Sequence, residues 1–509
     1  MIGSKFIFGG TASMISRTLQ AYLPPCFLEK DRLGKVQGLF PAIDAMYQEY
    51  AKKNHFPGYA YGILLDGKLI HSGSGGFSNF YKKIPVTSQS IFRVASMTKS
   101  FTAMAILKLR DEGKIHLDDP ISLYLPEMHT QNLTQDAPAI LIRDLLIHSA
   151  GLPTDDPWAD RRLDATDEEF LVLLKKKLIF SNASGVGFEY SNLGYVLLGF
   201  VIKKVTGMPS GEYIRREIWD PLGMKDAAWE FTHIPDAKLV HGYKWIDEQW
   251  QEEEMLHDGV FGPMGGMFAS IESFSRYMAH HQMAWPPRNE EEISPIKRSS
   301  IREMHRPWNF VKLATDFKYT EGRDCTMIYG YGYGLVWHRD SLGRIFVGHN
   351  GGLPGFGSNW YIMPEYGLGI VLFANATYAP AFKINLSVLD KLIVESHLQP
   401  RQLPPSQILK KRRDELIKLL PQWEHAAASG IFAGNFFLDR SLDLLQKQSR
   451  SLFSKTGKIL SISDVIPENQ LSGSFLLRGE KRTLRVHFGL TAENPSLIQK
   501  YELIEMEQA

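Results

Sequence analysis

Cysteine is nearly absent: Cys26 and Cys325 are the two in a chain of 509 residues. That excludes a small fold stapled by disulfides, and two thiols so far apart leave the redox compartment open. Charge of one sign is lacking too. Lys and Arg number 57 and Asp and Glu 56, a formal net charge of +1. With no global basic field, nucleic acid and an anionic membrane surface are set aside as partners. No run approaches the ~18 apolar residues of a membrane-spanning helix, and no repeat with a period of about 20–50 residues is visible. What is present is ordinary for a globular protein: 44% hydrophobic and 22% charged residues, which excludes a largely disordered chain. At about 100–200 residues per domain, the length implies two or three structural units.

The N-terminus carries a diluted apolar run, Phe6 to Ile15, after Lys5 and before Arg17. Gly, Thr and Ser interrupt it, so it reads as an N-terminal arm or short helix and not as a secretory signal. A cytoplasmic location is therefore expected over a periplasmic or secreted one. From Asp31 to Asn54 apolar residues recur at helical spacing (Val36, Leu39, Ile43, Met46, Tyr47, Tyr50), with Pro41 marking a kink or the true start. Tyr59–Leu65 and Lys68–Ser72 flank Asp66-Gly67, which predicts a β-hairpin. Gly73-Ser74-Gly75-Gly76 lacks the Gly-Lys-Ser/Thr ending of a phosphate loop and reads as a turn.

Helices are expected at Met97–Glu112, Ile142–Ile147, Asp167–Leu178, Leu193–Val205, Phe274–His281 and Ala381–His397. Trp285–Cys325 is polar and reads as a surface excursion with partial helix. Strands are expected at Tyr333–Trp337, Arg344–Gly348, Asn359–Met363 and Leu368–Phe373. One strand pair, many helices, then sequential strands and a helix predict an α+β fold. Its antiparallel sheet is flanked by helices, with a largely helical second region. Pro400–Pro405 reads as a linker, and Ile408–Leu420 as a basic helix with a solvated face. From Ser429 onward, short alternating segments predict a small β-rich domain of barrel size. The expected organisation is an arm over 1–30, a main domain over 31–398, a linker and helix over 399–426, and a β-rich accessory domain over 427–509.

Three short motifs carry the chemistry. In Ser96-Met97-Thr98-Lys99 the serine and lysine are three apart at a helix start, so they share a face. A lysine there accepts the serine proton if burial or nearby positive charge lowers its pKa. The helix N-terminus offers the Ser96 N–H to a developing oxyanion. Tyr190-Ser191-Asn192 supplies a phenol able to exchange a proton and an amide able to orient Lys99 or a carbonyl. His349-Asn350-Gly351-Gly352 ends a strand whose glycines admit a substrate backbone, and the Gly352 N–H is a second candidate oxyanion donor. His71 and His148 fall outside these triplets and read as structural. The sixteen histidines are scattered, and adjacent His280-His281 do not suit one ion, so no metal is expected.

In this order the motifs resemble those of the penicillin-recognising serine hydrolases: class C β-lactamases, D,D-peptidases, D-aminopeptidases and related esterases. Phe92–Ala95, Asp144–Leu152 and Gly265–Ser270 resemble accessory stretches of that family, and the likeness spans roughly residues 37–393. The resemblance implies a β-lactamase/transpeptidase-like fold and an acyl-enzyme on Ser96. It implies that Lys99 and Tyr190 shuttle protons and that Asn192, His349 and Gly351 orient substrate. It also implies an oxyanion hole from the N–H groups of Ser96 and Gly352, and no cofactor. The C-terminal domain resembles the lipocalin-like modules of some relatives. His349 stands where β-lactamases usually have lysine, and a histidine can be neutral at pH 7. A peptidase or esterase is therefore expected over a dedicated β-lactamase, acting on a small molecule or peptide. The alternative is a catalytically inactive binding or sensor protein of the same fold.

Overall fold

The computed structural model describes residues 22–129, 133–292 and 295–506, so the apolar run after Lys5 lies outside the described residues. The chain divides into two compact units. One is Glu29–Pro400; the other contains Arg401 onward together with the segment ending at Leu28, where Cys26 pairs with Gln402.

In the first unit, α1 (Phe40–Lys53) has Pro41 in its first turn, where the missing N–H costs nothing. A separate short helix, Arg32–Gln37, precedes it, so the proline marks a start and not a kink. Strands β1 (Gly58–Leu65) and β2 (Lys68–Asn79) are joined through Asp66 and Gly67, both at positive φ, 51° and 79°. Strand β2 runs on through Gly73–Gly76, where a turn was expected. The reason lies across the sheet: Cβ atoms at Gly73 and Gly75 would stand 2.4 and 2.7 Å from the rings of Tyr61 and Tyr59. The glycines let these partner rings lie over the strand.

After β3 (Ile84–Pro85) come α2 (Thr98–Asp111), α3 (Asn192–Thr206) and α4 (Ile271–Met283). Then follow β4 (Asn309–Lys318), β5 (Asp324–Tyr331), β6 (Val336–Asp340), β7 (Ile345–Leu353), β8 (Phe356–Met363) and β9 (Leu368–Ala374), and finally α5 (Ala381–Ser396). The nine strands form one antiparallel sheet in the order β3-β2-β1-β9-β8-β7-β6-β5-β4. Trp285–Cys325 was expected to be a surface excursion with partial helix, and it does hold the short helix Arg298–Met304. It contains β4 and the first residues of β5, and these two strands form one margin of the sheet. Register shifts in β4 between Phe310 and Lys312 and between Ala314 and Phe317 break its two-residue period, and Phe310 and Leu313 stay exposed, which masked the strand signal.

The central strands β1, β8 and β9 are buried on both faces, and strand periodicity sorts their residues between two cores. Ala60 and Leu64 of β1 join the core under α2, α3 and α4. Tyr59, Tyr61, Ile63 and Leu65 join the core under α1 and α5. Beside the sheet, helices such as α3 form the largely helical region expected from the sequence.

In the second unit, α6 (Gln407–Leu419) sends Ile408, Leu409 and Leu416 into the core, and the Arg412 guanidinium donates to the Ser496 carbonyl. Helix α7 (Leu442–Thr456) was not foreseen. Its single apolar stripe (Leu442, Leu445, Leu452, Phe453) is diluted by polar residues, and Ser441 caps it. The strands are β10 (Ile459–Ile462), β11 (Ile466–Pro467), β12 (Ser472–Gly479), β13 (Thr483–Leu490) and β14 (Ile498–Glu505). They form an open antiparallel sheet: β10 pairs with β12, which pairs with β13 and β13 with β14, while β11 also pairs with β12. The described residues thus form an open sheet with α6, α7 and a short helix at Phe436–Asp439, and not a closed barrel.

Candidate active site

Ser96 sits in a single 3₁₀ turn, Ala95–Met97, at the head of α2. Ala95 has φ of 52°, a left-handed conformation that costs roughly 1–2 kcal/mol for an L-residue. Strand β7 holds it there. A Cβ on Gly351 would lie 2.4 Å from the Val94 carbonyl oxygen and 3.1 Å from the Ala95 Cβ. On β8, the Ser358 hydroxyl donates to the same carbonyl at 2.8 Å. The strained turn is thus clamped to the sheet, and this aims Ser96.

Lys99, one turn later, is fully buried. Its Nζ donates to Ser96 Oγ at 2.9 Å, Asn192 Oδ1 at 2.6 Å and the Met264 carbonyl at 2.8 Å. Burial pushes its pKa down to about 8, against the opposing attraction of Asp156, Asp160 and Asp155. The lysine therefore has a neutral form accessible near physiological pH.

Tyr190 shares a hydrogen bond with the Ser96 side chain, and its ring lies 5.0 Å from Lys99 Nζ. Burial holds its phenol well above the usual value, so it stays protonated in the free protein. Asn192 opens α3. Its Oδ1 faces Lys99 and its Nδ2 donates to Asp156 Oδ1, which fixes the amide orientation. The structure thus brings Ser96, Lys99, Tyr190 and Asn192 together, with Gly351 packed against the Ser96 turn and Gly352 next to it on β7.

His349 is buried beside Tyr331 and Tyr190. It is 2% exposed, with Nε2 2.8 Å from the Tyr331 hydroxyl and Nδ1 beside the Asn350 carbonyl. Burial, with a smaller repulsion from Lys99, lowers its pKa to about 3. The imidazole is neutral and bonded to Tyr331. His71 lies elsewhere, bonded to Asp44. His148 lies at the site: its Nδ1 accepts the Ser191 N–H at 3.1 Å, and its ring packs 4.4 Å from that of Tyr190.

A sequence-family model described as Beta-lactamase matches residues 43–394. The chain belongs to the Beta-lactamase family. Among curated relatives, "Beta-lactamase-like protein 2" of Dictyostelium discoideum is 24% identical over 388 residues, 73% of this chain and 67% of the relative. "Protein flp" of Staphylococcus aureus strain MW2 is 26% identical over 343 residues, 66% of this chain and 64% of the relative. The matched part of this Beta-lactamase family chain thus spans about two thirds of the length of these relatives. Of solved structures, the octameric penicillin-binding protein homologue from Pyrococcus abyssi matches with a TM-score of 0.58 at 22% identity, over 92% of this chain and 98% of that one. A D-stereospecific amidohydrolase from a Streptomyces species matches with a TM-score of 0.54 at 24% identity, over 69% and 98%. The fold is that of the β-lactamases and penicillin-binding proteins.

Sequence reasoning missed the carboxylates of this Beta-lactamase family site. Asp155 accepts the N–H groups of Asn192 at 2.7 Å and Leu193 at 2.8 Å. Asp160 accepts from the Tyr378 hydroxyl at 2.8 Å. They lie in an irregular loop some 35 residues before α3, and no local spacing ties them to it. Tyr331 was missed because most of its strand, Asp324–Tyr331, falls between the expected excursion and the next expected strand and was left unassigned.

Proposed function

We propose that this chain is a serine hydrolase that forms an acyl-enzyme on Ser96. Ser96 Oγ attacks an acyl carbon while its proton passes to neutral Lys99. Lys99 and Tyr190 then deliver a proton to the leaving nitrogen or oxygen, and that bond breaks. Water, deprotonated along the same path, releases the acyl group and restores Ser96. Asn192 holds Lys99 and orients substrate, Gly351 admits its backbone, and the N–H groups of Ser96 and Gly352 receive the oxyanion. Such donors typically contribute about 10²–10³ in rate each. His349 supports the site through Tyr331.

One observation carries this reading: a buried Lys99, with its pKa lowered to about 8, lies 2.9 Å from the hydroxyl it must deprotonate. The neutral His349 favours an amide, peptide or ester substrate over a dedicated β-lactam one, because the third motif offers no cation to a carboxylate. The test is intact mass after exposure to a fluorophosphonate or a penicillin. One adduct, mapped to Ser96 and absent in Ser96→Ala, is the expected result. No adduct with either probe favours the non-catalytic binding protein.

A further inference from the structure

His148 falls outside the three motifs, yet it grips the middle one from two directions. Its Nδ1 accepts the Ser191 N–H at 3.1 Å, and its carbonyl accepts the Glu189 N–H at 2.9 Å. The residue between those two amides is Tyr190. The imidazole also packs on the Tyr190 ring, with centroids 4.4 Å apart. One residue therefore fixes the backbone on both sides of the phenol and covers its ring. Asn192, the other working residue of that motif, has holds of its own from Asp155 and Asp156.

The backbone is strained to make this grip. His148 has φ of 57°, a left-handed conformation that L-residues other than Asn and Asp rarely adopt. The turn around it is held firmly. Ser149 donates through its N–H to the Asp144 carbonyl at 2.8 Å and through its hydroxyl to Asp144 Oδ1 at 2.9 Å. Asp144 also accepts the Leu141 N–H at 2.9 Å, at the head of the short helix Ile142–Leu146. Strain maintained in this way beside a reacting group points to function. The ring is no proton carrier. Burial, with smaller contributions from Lys99 and His349, keeps it neutral. Because Nδ1 accepts, its proton is on Nε2, which is buried and has no hydrogen-bond partner among the described residues.

We propose that His148 is the positioning residue for Tyr190: its Nδ1 holds the Ser191 amide, so that the phenol stays against Ser96 and its ring beside Lys99. This rests on the hydrolase reading and adds a residue to it. The placement is exacting. Tyr190 shares a hydrogen bond with the Ser96 side chain while its ring stands 5.0 Å from Lys99 Nζ. A reacting group displaced by about 1 Å can cost about 10²-fold in rate. The Ser191 amide is the backbone group next to Tyr190, so losing its acceptor frees the phenol to shift.

The test measures the rate of fluorophosphonate labelling of Ser96 in the full chain, with and without Tyr190→Phe. His148→Phe keeps a ring and removes the acceptor, so it should slow labelling about 10–100-fold. In the Tyr190→Phe background the same substitution should cost less than about threefold, because the group it positions is gone. His148→Asn sets Oδ1 near the place of Nδ1 and tolerates positive φ, so it should label within about fivefold of the wild type. A scaffold role alone would cost the same factor in both backgrounds. That equal loss, a wild-type rate in His148→Phe, or a larger loss in His148→Asn overturns the assignment and leaves the hydrolase standing. His148→Asn still decides the matter if His148→Phe does not fold. Failure of the wild type to label at Ser96 overturns the hydrolase reading, and the role of His148 falls with it.

Discussion

The Asp155 carboxylate closes the N-terminus of the helix that begins at Asn192, accepting the Asn192 N–H at 2.7 Å and that of Leu193 at 2.8 Å. One side chain thereby fixes both a helix end and the amide that holds Lys99. Asp155→Ala leaves two amides without their acceptor, at a cost of about 1–3 kcal/mol. The expected outcome is a lower thermal midpoint together with slower labelling of Ser96. A lower midpoint with unchanged labelling would show that Asn192 is held without Asp155.

Lys99→Ala and Tyr190→Phe should each slow acylation by about 10²–10⁴, the usual range for a general acid–base group. The double variant should lose less than the product, because residues on one proton path act as a unit. Stopped-flow acylation rates decide this, and full additivity would place the two groups on separate paths.

Acylation should rise with pH through about 8 and then level, because Lys99 must lose its proton to act. His349 stays neutral down to about 3, so it adds no limb near neutrality. Neutral-ester and carboxylate-bearing substrates should therefore share one profile between about pH 6 and pH 9. A separate limb for the carboxylate substrate alone would mean that a titrating cation recognises it.

Stability carries its own pH signature. Burial lowers the pKa values of His305, His338 and His349 from 6.5 to about 3. Between those values the unfolded chain binds protons that the folded chain refuses. Stability from this source is complete above 6.5 and falls as pH drops toward 3, by up to about 1.4 kcal/mol per pH unit for each histidine. The thermal midpoint should fall between about pH 7 and pH 5, and less steeply in His338→Gln. A flat midpoint would show that these imidazoles are not buried in solution.

Gly351→Ala should disable the site more than its single methyl suggests. The added carbon would meet Ser358 Oγ at 2.1 Å and the Val94 carbonyl at 2.4 Å, and the second is backbone. We expect a destabilisation of about 1–3 kcal/mol and loss of Ser96 labelling. Normal labelling would mean that the strained Ala95 turn tolerates displacement from β7.

Sequence alone determined the elements whose signal is local. Asp66-Gly67 dictates the hairpin because its residues tolerate positive φ, and a three-residue spacing at a helix start makes Ser96 and Lys99 neighbours. The order of the three motifs was legible, and with it the family. Tertiary structure decided what depends on distant partners. Gly73–Gly76 looks like a turn until Tyr59 and Tyr61 are laid across it. The β4 strand was hidden because its bulges break the two-residue period, and α7 because a half-exposed helix dilutes its apolar stripe with polar residues. At the site, His349 is neutral only because the sheet buries it against Tyr331. The aspartates became visible only in three dimensions, since Asp155 and Asn192 lie 37 residues apart and meet because a carboxylate is needed at a helix end. Burial and pKa are properties of the environment, and spacing along the chain does not encode them.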